Sequence, residues 1–138
     1  MRILALLVCA LLMFQFSAVA QTIGEKMPDQ KGLTLEVQGR GMINMRLVDR
    51  RFQLVFMDLD GRVEQCPFSR VVVHIEHRGK NGDEMHLVLR PEAGKAALRH
   101  NRYIPPPNTY RVRMVLFPHE DSKEGMLVIP LQTFTWVE

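Results

Sequence analysis

From residue 33 onward the apolar positions of the chain recur with a period of two. Leu33, Leu35 and Val37 alternate with Thr34 and Glu36. Phe52, Leu54 and Phe56 share one face of 52–57, Val71, Val73 and Ile75 one face of 71–76, and Met85, Leu87 and Leu89 one face of 84–90. Over 109–117, Tyr110, Val112, Met114 and Leu116 fall together, with Arg111 and Arg113 opposite. Successive side chains of a strand point to opposite faces, so this alternation predicts half-buried strands. Residues 42–48 form a less regular apolar stretch and 126–137 a final one, interrupted by Pro130. Proline has no N–H for a strand ladder, so Pro130 predicts an edge strand or a bulge. The run Asp58-Leu59-Asp60-Gly61 carries turn chemistry. Only 92–100 (EAGKAALRH) has the composition of a helix, and it is short and contains Gly94, so it leaves room for one helical turn. Seven short strands separated by turns predict an all-β fold, an antiparallel β-sandwich spanning 33–138 as one domain.

Residues 104–115, IPPPNTYRVRMV, add a more particular hint. They resemble the entry to the penultimate strand of fibronectin type III and other immunoglobulin-like domains, where a proline-containing turn precedes a tyrosine and then alternating valine and polar residues. The resemblance implies an immunoglobulin-like sandwich. It also implies that the Tyr110 hydroxyl bonds back to upstream backbone, as in a tyrosine corner. The chain departs from the immunoglobulin pattern in having no Trp in its early strands, its one Trp being Trp136. The architecture hosts many functions and assigns none.

The N-terminus has a different character. Arg2 is followed by twelve uninterrupted apolar residues, 3–14, and then by Ser17-Ala18-Val19-Ala20, an A-x-A pattern. This is the layout of a secretory signal peptide over 1–20. It predicts a periplasmic or secreted protein with no transmembrane segment in the mature form. Removing 20 of the 138 residues leaves 118, lowers the net charge from +3 to +2 and reduces two cysteines to one. Residues 21–32, polar and holding a Pro and two Gly, read as a flexible leader. With Cys66 alone remaining, no internal disulfide is available, and the adjoining Pro67-Phe68 favour a buried, inert thiol over one that pairs between chains.

The candidate chemistry sits in one hairpin. A two-residue Asn81-Gly82 turn would oppose Glu76 to Leu87 and His74 to Leu89, setting polar against apolar side chains. A one-residue slip exchanges every face, so this pattern rejects that register. A three-residue loop, Lys80-Asn81-Gly82, pairs Ile75 with Leu87 and Val73 with Leu89. It also places His86 opposite Glu76 and diagonal to His74. Imidazole and carboxylate are ligands for Zn²⁺ and Cu²⁺, so His74, Glu76 and His86 form a candidate metal site. An ordinary solvated polar face accounts for the same residues.

Other signals are weaker. Met42-x-x-Met45 is the only close pair among the methionines after residue 20, and Met57, Met85, Met114 and Met126 fall at strand positions where core packing explains at least some of them as well as copper does. The arginines, Arg111 and Arg113 included, are diluted by fifteen acidic residues, and export argues against a nucleic-acid partner. No G-x-S-x-G, phosphate loop or dinucleotide fingerprint occurs. The sequence therefore points away from an enzyme and from a bound cofactor. It points to a binding module for a protein or cell-envelope surface, contacting it through the Pro130 edge or the loops 79–83 and 118–125. A Cu- or Zn-binding protein is the alternative.

Overall fold

The computed structural model describes residues 22–29, 31–77, 84–106, 109–123 and 125–136; the predicted signal peptide, 1–20, lies outside them. Among the described residues, nine strands run in the order β1 (Leu33–Glu36), β2 (Met42–Val48), β3 (Arg51–Met57), β4 (Val63–Glu64), β5 (Arg70–His77), β6 (Glu84–Leu89), β7 (Ala97–Tyr103), β8 (Thr109–Phe117) and β9 (Leu127–Thr135). They form two antiparallel sheets. In the first, β1, β2 and β3 lie side by side, and β4 and β7 both pair with β3. The second has the order β6-β5-β8-β9.

The two sheets pack face to face as a β-sandwich. The alternating residues of each strand explain why. Ile43, Met45, Leu47, Phe52, Leu54, Phe56 and Leu98 from the first sheet meet Val71, Val73, Ile75, Leu87, Leu89, Val112, Met114 and Leu116 from the second in one buried cluster. Each such side chain contributes about 1.5–3 kcal/mol on burial, and this shared core joins the two sheets.

Of the segment predicted as a short helix, 92–96 is turn and loop and 97–100 opens strand β7. Among the described residues there is no helix. Its Ala, Leu and Arg suit a helix, but Leu98 and Arg99 alternate in and out, and Leu54, Val55 and Gln53 of β3 take Leu98, Ala97 and Arg99 as partners. Tertiary pairing overrides local propensity here. Gly94, with φ of 76°, turns the chain into the strand instead of ending a helix.

The leader also takes a defined place. Gly24 N–H donates to Val63 O, Val63 N–H to Glu25 O and Met27 N–H to Gly61 O, so residues 24–27 form a strip along β4. Met27 covers the outer face of the first sheet, packing with Val55, Met57, Val63 and Ala96 in a second, smaller cluster. Arg46, on the same outer face, pairs with Asp29 at 2.9 Å and donates to Asn44 Oδ1 at 2.8 Å. β2 and β3 are therefore buried on both faces, which is why Asn44 and Arg46 of β2 and Gln53 of β3 count among the buried residues.

Pro130 satisfies both halves of its expectation. β9 pairs only with β8, and its register shifts between Ile129 and Gln132, placing Pro130 and Leu131 opposite Arg113 alone. That is a bulge on an edge strand.

Candidate functional site

The outer face of the second sheet is organised in rows across the strands. Glu84 on β6, Glu76 on β5, Arg111 on β8 and Thr133 on β9 make one row. His86, His74 and Arg113 make the next, running out against the Pro130 bulge. Val88, Val72, Val115 and Val128 make a third that crosses all four strands. Beyond it Arg70 lies over the Phe117 ring at 4.2 Å. The inward partners of these residues are the core positions, so the β alternation fixes which side chains reach this face.

The structure keeps the predicted faces of the β5–β6 hairpin but moves its register by two residues. Val73 pairs with Leu87 and Ile75 with Met85, in place of Leu89 and Leu87. The parity, which the hydrophobic pattern controls, is unchanged. The spacing is set by the connecting loop, and its predicted turn, Lys80-Asn81-Gly82, lies outside the described residues, as does the candidate loop 79–83. The shift rearranges the predicted metal trio. His86 now faces His74, not Glu76, and the two imidazoles stack with centroids 4.4 Å apart and 19° between planes. Glu84, which the sequence reading passed over, stands opposite Glu76.

Ligand atoms of His74, Glu76 and Glu84 lie within 4.8 Å of one another. His74 Nε2 is 3.4 Å from Glu84 Oε2, and Arg111 Nε is 3.5 Å from Glu76 Oε2. The Glu84 carboxylate is well exposed and the His74 ring mostly covered. Two like charges directly opposed across a ladder repel. Here the Arg111 guanidinium beside Glu76 offsets that repulsion, and His74 Nε2 lies within hydrogen-bond distance of Glu84.

The chain matches no family model, no curated protein and no solved structure at a significant level. What can be said of its chemistry therefore rests on its own side chains.

Cys66 is buried in the main core and its Sγ donates to Phe68 O at 3.5 Å. Burial pushes the thiol up to about 11, against a smaller lowering by that hydrogen bond. It is a protonated, shielded thiol at neutral pH, the opposite of an activated nucleophile. Ser69 Oγ is spent on Phe117 O and Pro118 O, each at 3.0 Å.

Tyr110 is buried, and its hydroxyl donates to Pro105 O at 3.2 Å while accepting from Arg50 Nη2 at 2.9 Å. Burial raises its pKa, with Arg50 pulling the other way. Arg50 Nε also donates to Ile104 O at 2.9 Å, and Arg50 O accepts from Ile104 N–H at 2.7 Å. The back-bond to upstream backbone thus exists, and an arginine reinforces it.

Several other sequence features resolve into structure. Met45 points into the core and Met42 lies on the opposite face, so they do not form a pair. Asp58 Oδ1 accepts from Asp60 N–H and Arg62 N–H, each at 2.9 Å, and so closes a turn. Arg46, Arg50 and Arg99 are held by Asn44, Tyr110 and Gln53, which disperses the arginines over the fold. No helix among the described residues is long and apolar enough to cross a membrane.

Proposed function

We propose that this chain is an exported, immunoglobulin-like binding module that meets a protein partner through the outer face of its second sheet. The observation that carries this reading is the contrast between the two outer faces. The first sheet's is covered in part by the chain's own residues 22–29, through Met27 and Asp29, whereas the second presents a four-valine row with exposed ends and half-buried Val72 and Val115 between them. Val88 and Val128, at its ends, are 46% and 56% exposed, and Met126 beside β9 is 61% exposed. An apolar row flanked by Arg70 on one side and His74, His86 and Arg113 on the other has the layout of an interface, an apolar centre with a polar rim. The Pro130 edge borders this face, and the loop 118–125 continues from its β8 strand.

The immunoglobulin-like assignment draws support from the strand order β6-β5-β8-β9 and from the Tyr110 hydroxyl on Pro105 O. Export rests on the signal-peptide pattern of residues 1–20. A binding role in place of catalysis is supported by the shielded thiol of Cys66 and the occupied hydroxyl of Ser69. The test is photo-crosslinking in the native cell from single probes at Val88 and Val128, with Glu36, exposed on the first sheet, as control. One defined protein crosslinked from both valine positions, and lost in V72E, supports the reading. Equal capture from Glu36, or none from either valine, overturns it. A crosslink only to a second copy would make the face a homodimer contact instead.

A further inference from the structure

We infer that His74, Glu76 and Glu84 form a binding site for a single Zn²⁺ ion, beside the valine row and independent of it. Three features of the hairpin lead there. The first is convergence: the three ligand atoms already lie within 4.8 Å of one another on one face. A tetrahedral zinc with bonds of about 2.0–2.2 Å needs its ligand atoms about 3.3–3.6 Å apart. His74 Nε2 and Glu84 Oε2 already stand at that spacing, 3.4 Å apart, so the remaining adjustment falls on the Glu76 side chain, on backbone whose register is fixed by the β5–β6 pairing.

The second is electrostatic. Glu76 and Glu84 are directly opposed in the ladder, a like-charge placement that costs energy. Zinc between them turns that repulsion into coordination. The third is the support of the imidazole. His86 stacks on His74 and holds the ring in plane, so the nitrogen facing Glu84 stays aimed at the site. His86 is thus a positioning residue rather than a ligand, which separates this site from the trio read off the sequence. The donor set sets zinc apart from the hard cations. Imidazole with two carboxylates suits zinc, whereas Ca²⁺ takes six to eight oxygens and Mg²⁺ keeps its own waters. Arg111 competes for Glu76 from the far side, so the site is restrained by its own neighbour.

The test is calorimetric titration of untagged protein with Zn²⁺, with Mg²⁺ and Ca²⁺ as controls and Co²⁺ substitution read by its visible spectrum. The expected result is one zinc per chain and a tetrahedral cobalt spectrum. H74A and E84Q should each weaken binding at least tenfold, while H86Q weakens it less than threefold. R111Q should tighten binding severalfold, a change that misfolding cannot produce. Absence of saturable binding overturns the inference. So does stoichiometric binding that survives E84Q, or binding lost as fully in H86Q as in H74A.

Discussion

At the scale of single residues, the structure shows side chains holding places where the backbone alone is unfavourable. The β2–β3 connection is a two-residue turn, Asp49-Arg50, with φ of 51° and 61°. Such turns match the twist of a hairpin but favour Asn and Gly over Arg. Arg50 remains there because its guanidinium is tied to Ile104 O and to the Tyr110 hydroxyl. Tyr110 joins this turn to the proline segment across the sandwich, and Y110F removes one bond to a charged donor and one to a carbonyl. We expect a loss of about 1–2 kcal/mol in urea denaturation with the fold retained. Tyr110 and the burial of Cys66 could be read from the sequence, because a tyrosine after a proline turn and a cysteine beside Pro-Phe are local signals. Arg50 could not, because its partners lie 54 and 60 positions away. Glu84 was missed for a related reason: a carboxylate at a strand end gains meaning only once the register is known.

At the scale of elements, alternation fixed faces and left spacing open. Every strand read from period two presents the side to the core that its apolar residues require. The β5–β6 register still differs by two positions, since a shift of two keeps each side chain on its face and the pattern cannot detect it. β4 and β7 were hidden, one because two residues carry no period, the other because alanines masked it as helix. The leader's polar composition predicts a flexible segment, yet one methionine and a few backbone bonds suffice to dock residues 24–27. That docking is testable. M27D puts a charge into the small cluster with Val55, Met57 and Val63. Hydrogen exchange should then speed up at the amides of Gly24, Met27 and Val63, while β5 and β8 stay protected. Unchanged protection at Val63 would mean that the strip is held by its backbone bonds alone.

At the scale of the whole molecule, one core contains residues of both sheets, so neither sheet can open without exposing the other. Cys66 belongs to that core, next to Phe68, whose ring lies 5.7 Å from that of Phe56. Its thiol titrates at about 11 when folded, against about 9 when exposed. Above pH 9 the unfolded chain therefore releases this proton first, and the stability held by the protonated thiol is lost as the pH rises towards 11. The loss should be on the order of 2 kcal/mol. The urea midpoint should fall further between pH 8 and pH 10.5 in the native chain than in C66A, which lacks the group. An equal shift in both would place the alkaline sensitivity elsewhere. The same burial sets a race during folding. A chain that closes its sandwich before meeting an oxidant seals the Cys66 thiol in the core, where it cannot pair with another chain. One that lingers open presents a reactive sulfur to its neighbours and leaves the race as a crosslinked pair. The ratio of the two products would then record how quickly the molecule folded.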